Sequence, residues 1–161
     1  MPSFVRVFRV ARNNTVGVGR EMPEAGGRSG TVEFQVKTKK KIERLDITDQ
    51  VAKAAAKLKA ESGALLVSVP HTTAAVTIGE NWDDDVTGDV ERALAAWVPG
   101  VRFDHGEGNS PAHFLSEAIG VSCLVPLAKG KPVLGRWQGI FLIELDGPRE
   151  RTVRVAALAS A

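Results

Sequence analysis

The chain has 161 residues, a formal net charge of +2, and 43% hydrophobic and 25% charged residues. This length predicts one domain that can bury enough surface to fold without a metal or a disulfide. The small net charge gives no argument for a nucleic-acid partner, and no apolar run reaches the roughly 18 residues of a membrane span. The single cysteine, Cys123, excludes an intrachain disulfide, which favours a reducing, cytoplasmic location.

Residues 1–30 are predicted to form an N-terminal extension that consists of a strand and a glycine-rich loop. Apolar and basic residues alternate over 4–11, which is typical of a strand. Residues 12–30 are polar and rich in glycine, as in a loop or connector. A transit peptide is the alternative, because the N-terminus contains arginines and lacks acidic residues. The compact domain is therefore predicted at residues 31–161.

Two short strands are predicted at the start of this domain. Residues 32–38 alternate apolar and polar side chains, which indicates a strand with one buried face. Residues 42–45 are predicted to form its antiparallel partner. The inward side chains of the first strand are expected to be Val32, Phe34 and Val36.

Two amphipathic helices with two strands between them are predicted next. Thr48 is the expected N-cap of the first helix, and Gly63 is the expected left-handed residue after its end. Residues 64–69 and 74–78 are apolar or β-branched and predict strands, the first buried on both faces. Asn81 is the expected N-cap of the second helix, whose apolar positions recur at helical spacing. They are Trp82, Val86, Val90, Ala93, Leu94 and Trp97.

A third helix and four strands are predicted in the second half of the domain. Ser110 is the expected N-cap, Pro111 is the expected first helical residue, and Gly120 is expected to end the helix. Most connections are too short for parallel crossovers. The chain therefore predicts an α+β fold with a mixed, mainly antiparallel β-sheet and two or three helices. The four strands are expected at residues 121–127, 132–134, 140–145 and 152–158.

Two of the three histidines lie at residues 104–113, beside a carboxylate, an amide and glycines. If the chain is extended there, His105 and Glu107 project on the same side. His113 is expected in the first turn of the third helix, where the helix dipole keeps an imidazole neutral. Together with His71, these histidines could ligate zinc or magnesium, zinc being favoured by imidazole ligands. The alternatives are that they bind phosphate directly or that they only hydrogen-bond the backbone.

A second polar segment follows a strand that ends at a proline. This segment places an imidazole, that of His71, and two hydroxyls, those of Thr72 and Thr73, at a strand end. Such groups can act as a general base or donate hydrogen bonds to phosphate. Glu80 and Asn81 close the next strand. Glu80 is a candidate catalytic carboxylate, whereas Asn81 is either a substrate ligand or only a helix cap.

A third polar segment interrupts two apolar strands. Trp137 can stack on a flat ring while Gln138 reads the edge of that ring, and Arg136 adds a positive charge. Arg149 is a candidate for bidentate contact with phosphate through its guanidinium. The alternatives are a core tryptophan and a surface arginine. The acidic run at residues 83–85 either holds magnesium or complements the dipole of the second helix.

We expect residues 71–73, 104–113 and 136–139 to meet in one pocket. The basic run at residues 37–41 is interpreted as a solvated strand end, with a phosphate-attracting rim as the alternative.

These motifs, taken in order, resemble the YjbQ family, an uncharacterised protein family also known as secondary thiamine-phosphate synthase. The resemblance covers roughly residues 31–158. It rests on the stretches HTTAAVTI at 71–78, EN at 80–81 with Asp85, EGNSPAH at 107–113, LGRWQGIF at 134–141 and ELDGPR at 144–149.

The resemblance implies an α+β domain, a homotrimer with pockets near subunit boundaries, and an activity that is secondary to an unsettled main role. That activity joins a hydroxymethylpyrimidine diphosphate to a thiazole phosphate and yields thiamine phosphate. The pocket residues carried over from the family are His71, Glu80, Asn81, His105, Glu107, Asn109, His113, Trp137 and Gln138.

The chain departs from the family pattern at several positions. Phe103 stands where the family often has an aromatic hydroxyl, and Phe114 follows His113 where a lysine is usual. A lysine that could hold phosphate is therefore missing. Arg136 stands where threonine is usual and could replace that charge. Residues 1–30 resemble an addition to the family domain.

The expected function is that of an enzyme acting on a phosphorylated heterocycle, by substitution at a pyrimidine methylene with pyrophosphate leaving. Such chemistry mainly needs charge neutralisation and positioning, from a divalent ion, Arg136 or Arg149. The expected partners are further copies of the chain and a small phosphorylated molecule, with neither nucleic acid nor membrane. The alternatives are a non-enzymatic phosphate- or metabolite-binding protein and a metal-dependent hydrolase.

The candidate residues divide into two groups. The catalytic candidates are His71, Glu80, His105, Glu107 and His113. The substrate-binding candidates are Thr72, Thr73, Asn81, Asn109, Arg136, Trp137, Gln138 and Arg149.

Overall fold

The structure, a computed structural model, describes residues 30–98 and 100–159. The predicted strand at residues 4–11 lies outside these ranges, as does the glycine-rich connector apart from Gly30. Within them, three helices and eight strands occur, and every strand pair in the two sheets is antiparallel. The predicted α+β fold is thereby confirmed. None of these helices has the length and apolar character to cross a bilayer.

The strands form a large sheet with the order β1-β8-β3-β5-β6 and a small sheet with the order β2-β7-β4. The strands are β1 (Thr31–Lys37), β2 (Glu43–Asp46), β3 (Ser62–Ser68), β4 (Ala74–Glu80), β5 (Ser122–Ala128), β6 (Lys131–Pro132), β7 (Gln138–Glu144) and β8 (Glu150–Ala159). The helices are α1 (Thr48–Leu58), α2 (Asp84–Ala96) and α3 (Ser110–Ile119).

The small sheet is buried on both faces, because successive residues of β7 enter two different apolar clusters. Ile140 and Leu142 join a cluster with α1 and the inner face of the large sheet. Phe141 and Ile143 join a second cluster with α2 and α3. This arrangement explains why β7 reads as a continuous apolar run instead of an alternating one.

The alternation of β1 predicted its inner face, but the partner predicted for residues 42–45 is wrong. Val36 is buried, and Val32 and Phe34 pack against the core as expected. Strand β2 pairs with β7 of the small sheet, whereas β1 pairs with β8. The carboxylate of Glu43 accepts the backbone N–H groups of Lys39 and Lys40, and this turn directs the chain away from β1.

The predicted caps of α1 are wrong by short distances. The N-cap is Ile47, and Thr48 is the first helical residue. The hydroxyl of Thr48 donates to Asp46 and accepts the backbone N–H of Ile140 at 2.9 Å, so it joins the helix to β7. The left-handed residue at the helix end is Lys59, whereas Gly63 lies within β3.

The predicted start of α2 also needs correction. Its N-cap is Asp83, whose carboxylate accepts the N–H of Asp85 at 2.9 Å. Asn81 instead donates its side-chain amide to Asp46 at 2.9 Å. Trp82 precedes the helix and is 71% exposed, so it does not belong to the apolar stripe. Leu94 is the buried member of that stripe.

Helix α3 and the strands after it follow the sequence pattern more closely. The N-cap is Asn109, one residue before the predicted Ser110, and Gly120 ends the helix as predicted. The strand predicted at residues 132–134 is limited to Lys131–Pro132. The strand predicted at residues 64–69 corresponds to β3 (Ser62–Ser68), in which Leu65 and Val67 are fully buried, whereas the opposite face is only partly covered.

A buried ion pair joins the two sheets. Arg151 of β8 donates to the carboxylate of Glu144 of β7, and both side chains are almost fully buried. Thr38 also donates to this carboxylate at 2.9 Å, and Arg151 donates to the hydroxyl of Thr73 at 2.9 Å. Burial alone would raise the pKa of Glu144, but these hydrogen bonds outweigh it and the pKa lies below its usual value.

His71 is held beside this ion pair. Its Nε2 accepts the backbone N–H of Thr152 at 2.9 Å. Burial lowers the pKa of His71, and the positive charge of Arg151 lowers it further. The imidazole is therefore neutral near pH 7 and serves as an acceptor for β8.

Replacing Arg151 by Met should destabilise the fold strongly, because the Glu144 carboxylate would stay buried without its counter-charge. We expect the free energy of unfolding to fall by about 3–5 kcal/mol, measured by urea denaturation at pH 7. Arg154→Met is the matched control on the same strand, since Arg154 pairs with Glu33 at the surface. That variant should lose less than about 1 kcal/mol. Equal losses would contradict the role of the buried pair.

His71→Gln should flatten the dependence of stability on pH below about pH 6.5, the ordinary pKa of histidine. Unfolded wild-type chain takes up a proton there that the folded chain resists, so wild-type stability should fall as the pH falls. Glutamine keeps an acceptor for Thr152 but does not titrate. Urea denaturation from pH 7.5 to pH 5 measures both slopes, and identical slopes would disprove the assignment. His71→Ala should be less stable than His71→Gln at every pH, because it leaves the N–H of Thr152 without a partner.

Candidate functional site

The polar segments named from the sequence lie at opposite ends of the small sheet. Ala74 pairs with Glu144, and Glu80 pairs with Gln138. The six-residue step along β4 corresponds to roughly 20 Å. We call residues 71–73, 105–113 and 144–149 the histidine end, and residues 80–82 and 136–138 the tryptophan end. The prediction that all three segments meet in one pocket is therefore wrong for a single chain.

At the histidine end, a turn brings two imidazoles and a carboxylate near each other. The N–H of Gly108 donates to the carbonyl of His105 at 3.1 Å, so the segment is folded back and not extended as expected. Nε2 of His105 lies 3.7 Å from the Glu107 carboxylate. The rings of His105 and His113 are 5.7 Å apart and nearly perpendicular. His113 occupies the first turn of α3, as expected.

A cavity of about 300 Å³ opens beside this cluster. Lys41, Asn109 and Asp146 supply its polar wall, whereas His105 and His113 do not line it. Its size is at the lower limit of small-molecule sites. The apolar wall is formed by Ile42, Val98, Pro111, Ala112, Leu115 and Leu145.

Asn109 holds the polar wall together. Its amide nitrogen donates to Asp146 at 3.1 Å and, more weakly, to Glu107 at 3.4 Å. Its carbonyl oxygen Oδ1 is buried and has no hydrogen-bond partner within the described residues. A buried acceptor without a donor is destabilising by about 1–3 kcal/mol, so a donor from a ligand would stabilise the site.

The charges at this end differ from those expected. Arg149 was predicted to bind phosphate, but its guanidinium donates a hydrogen bond to the carboxylate of Asp146 at 2.6 Å. Burial raises the pKa of Asp146, but the bonds from Asn109 and Arg149 outweigh it and the pKa is lowered. Lys41, which was not among the candidate site residues predicted from the sequence, lines the cavity. Its position at the end of the basic run at residues 37–41 was the available signal.

His71 and Thr73 take structural positions. Nε2 of His71 is bonded to Thr152, and the hydroxyl of Thr73 is bonded to Arg151. Thr72 is exposed. Across residues 30–98 and 100–159, no three His, Cys, Asp or Glu side chains are placed to hold a metal ion. The donor set predicted from His71, His105 and His113 is thus not assembled within one chain.

At the tryptophan end, Glu80 fixes the turn after β4. Its Oε1 accepts the N–H of Trp82 at 2.7 Å and that of Asp83 at 3.0 Å. Its Oε2 is buried and has no partner among the described residues. Asn81 is held to Asp46, as noted above, and its N–H donates to the carbonyl of Trp137 at 2.8 Å.

Two indoles stand at the surface here. The rings of Trp82 and Trp137 lie 4.5 Å apart at an angle of 73°, and the side chains are 71% and 42% exposed. The guanidinium of Arg136 lies 4.3 Å over the Trp137 ring. The amide of Gln138 accepts the N–H of Gly135 at 2.8 Å and so holds the turn before β7. Trp137 is therefore not the core tryptophan of the alternative interpretation.

Arg44 supports the tryptophan end through contacts with β4, α2 and β7, although no sequence signal identified it. Its guanidinium donates to the carbonyl of Glu80 at 2.6 Å and to Thr87 at 2.8 Å. It also lies 3.3 Å over the ring of Phe141. Burial lowers the pKa of Arg44. The residue joins β2, β4 and α2, so the tryptophan end rests on a rigid base.

Comparison with known proteins gives consistent results. Residues 32–160 match the family model described as UPF0047 protein YjbQ-like. The UPF0047 protein MJ1081 of Methanocaldococcus jannaschii is 44% identical over 119 residues, which cover 73% of this chain and 86% of that protein. The UPF0047 protein YugU of Bacillus subtilis is 44% identical over 121 residues, which cover 74% of this chain and 92% of that protein.

Solved structures of related proteins share the fold. A YjbQ/UPF0047 family protein from Clostridium acetobutylicum, described as uncharacterised, is 42% identical with a TM-score of 0.73 and covers 77% of this chain and 97% of its own. A protein of unknown function from Sulfolobus solfataricus is 32% identical with a TM-score of 0.75 and covers 82% of this chain and 98% of its own. With the motifs at both ends of the small sheet, these matches show that the chain belongs to the YjbQ (UPF0047) family.

Proposed function

We propose that this protein is an enzyme with secondary thiamine-phosphate synthase activity. The observation that carries the proposal is the cavity at the histidine end, which is lined by Lys41, an apolar wall and Asn109, whose carbonyl has no partner among the described residues. A phosphorylated ring compound presents charge, hydrogen-bond donors and flat apolar faces. The cavity offers complementary groups for each of these features.

In the proposed reaction, the C–O bond at the pyrimidine methylene breaks and the electron pair leaves with pyrophosphate. A C–N bond forms from the thiazole nitrogen to the same carbon. The leaving group gains negative charge, which the ammonium of Lys41 would neutralise. His105 lies close to Glu107 and outside the cavity lining, so it would donate a hydrogen bond to phosphate oxygens that extend beyond the cavity. The proposal assigns no metal ion to the three imidazoles, because they do not converge within the described part of the chain.

We also propose that the protein assembles with itself, as a homotrimer. The outer face of the large sheet carries a continuous apolar patch in which Leu66 pairs with Leu124 and Ala64 pairs with Leu158. Leu124 is 58% and Leu158 is 46% exposed. Contiguous exposed apolar surface of this kind marks interfaces. Residues 140–145 are buried within the chain and cannot contribute to such an interface.

Self-assembly would also address the distance between the two ends. A small molecule cannot reach across roughly 20 Å of sheet within one chain. Contact between the histidine end of one copy and the tryptophan end of another would form a shared pocket near a subunit boundary.

A non-enzymatic phosphate- or metabolite-binding role is the second candidate. The observation that favours it is that neither His105 nor His113 lines the cavity. A site of this kind can bind a ligand without a group placed for acid–base chemistry.

Lys41→Ala should weaken productive binding of the diphosphate substrate. In a coupling assay with hydroxymethylpyrimidine diphosphate, thiazole phosphate and magnesium, we expect kcat/KM to fall at least about tenfold, as for loss of one charged hydrogen bond. Lys37→Ala is the matched control, because Lys37 belongs to the same basic run but does not line the cavity. Equal kcat/KM values for the two variants would remove the cavity from the proposal.

His105→Ala tests the chemistry separately. Product formation equal to that of wild type would remove the histidine cluster from the mechanism. If wild-type protein forms no product above background but binds the substrates by calorimetry, the binding role replaces the enzymatic one.

Leu124→Glu should dissociate the assembly, because it places a charge in the centre of the apolar patch. Light scattering at micromolar protein should give about three times the chain mass of 17.2 kDa for wild type and a smaller mass for the variant. Val101→Glu is the control, since Val101 is also 58% exposed but lies in the loop after α2. A monomer mass for wild-type protein would overturn the proposal.

A further inference from the structure

The N-terminal segment of residues 4–12, which lies outside the described residues, has a composition to which the proposed reaction gives no role. It contains three arginines and no acidic residue, together with two phenylalanines and three valines. We call it the arginine segment, after Arg6, Arg9 and Arg12. A guanidinium pairs with carboxylates and also stacks flat on aromatic rings. The arginine segment is therefore suited to a surface that presents carboxylates beside exposed rings.

The tryptophan end presents two such rings. The indoles of Trp82 and Trp137 are 71% and 42% exposed, and their ring centroids are 4.5 Å apart. Backbone hydrogen bonds to Glu80 and Asn81 hold the two residues in place. Tryptophans are enriched at protein interfaces, and side chains on a rigid base lose little conformational entropy on binding. The pair therefore has the character of a docking surface.

Carboxylates beside these indoles outnumber the positive groups. Glu80 accepts the backbone N–H of Trp82, and three aspartates follow directly at residues 83–85. None of these four carboxylates forms an ion pair within the described part of the chain. Two guanidiniums lie nearby, those of Arg44 and Arg136. The surface is therefore negatively charged, and the arginine segment carries the complementary charge.

The cation that is already stacked at this surface is an arginine. The guanidinium of Arg136 lies 4.3 Å from the ring centroid of Trp137. A guanidinium can lie flat on an indole while its N–H groups donate to carboxylates at the edge, whereas an ammonium is a compact point charge. Trp82 has no cation over it among the described residues, and the carboxylates of residues 83–85 follow it. This arrangement favours a second arginine on Trp82 over a lysine or a small inorganic cation.

The connector between the arginine segment and the domain is long enough for this contact. A Cβ at Gly30 would lie 3.2 Å from the side chain of Leu58, at the end of α1. The same helix starts at Thr48, whose hydroxyl is bonded to Asp46 beside the tryptophan end. A helix of this length spans about 16 Å, whereas residues 13–29 can span up to about 55 Å. A tether that can reach its site raises the local concentration of the segment there.

We propose that the arginine segment binds to the tryptophan end of the same chain, with one guanidinium stacked on Trp82 and the others donating to the carboxylates of residues 83–85. The contact covers the two indoles and so restricts the access of other molecules to this end. It needs none of the steps of the proposed reaction and stands or falls separately from it.

The exposure of the indoles in solution tests this contact. In full-length protein with Trp97→Phe, Trp82 and Trp137 are the remaining tryptophans, and acrylamide, a neutral quencher, measures their exposure by fluorescence. Arg6→Gln combined with Arg9→Gln should lower the equilibrium constant for docking about tenfold, so the quenching constant should rise. The quenching constant of the unaltered segment should also rise between about 20 mM and about 500 mM salt, because salt screens the charge pairs.

Arg20→Gln combined with Arg28→Gln is the matched control, because it removes the same charge from residues 1–30 outside the arginine segment. It should leave the quenching constant unchanged. Asp84→Asn combined with Asp85→Asn removes the partner charges instead. It should raise the quenching constant when the arginine segment is intact and should add little once Arg6 and Arg9 are replaced, as for groups that interact directly. Circular dichroism should be the same for all variants, because Asp84 and Asp85 are exposed.

Equal quenching constants for the Arg6 and Arg9 double variant and for its control would overturn the proposal. Protection of the indoles that persists in that double variant but is lost when the protein is diluted would also overturn it, because another copy of the chain would then be the occupant. Neither result depends on the outcome of the coupling assay.

Discussion

The buried pair of Glu144 and Arg151 is the interaction on which the rest of the structure depends. These residues are separated by seven positions in sequence but belong to different sheets. Their ion pair therefore holds the small sheet against the large sheet. The chain between them passes so close to Lys40 that a Cβ at Gly147 would lie 2.3 Å from the Lys40 carbonyl. Only glycine fits at that position, and the carboxylate remains satisfied because Thr38, the residue after β1, donates to it.

The sequence predicted the fold class and most elements, because periodicity reports which face of an element is buried. It did not predict partners or caps, because long-range contacts decide these. Thr48 accepts a hydrogen bond from Ile140, 92 residues away, and Asn81 is bonded to Asp46 instead of to a helix terminus. Residues 42–45 form a strand as expected, but a local turn directs that strand to the other sheet. These bonds leave no trace in local periodicity.

For the candidate site, the sequence identified residue chemistry better than location. His105, Glu107 and His113 do lie near each other, because a turn and a helix start separate them by only a few residues. The distance between His71 and Trp137 could not be read from the sequence, because the pairing of β4 with β7 sets it. Lys41 was missed as a cavity residue because a basic run has a common structural explanation, and Trp82 was assigned to the apolar stripe of α2 because its spacing fits a helix.

The small sheet, buried on both faces, separates two chemically different ends by a rigid interval. Sites farther apart than about 10 Å without shared partners contribute almost additively to free energy. Substitutions at the basic end and at the aromatic end of one chain should therefore be thermodynamically independent. A substitution at one end therefore leaves the side-chain packing of the other end unchanged. The small sheet fixes the spacing of the two ends, while the residues at each end can vary separately.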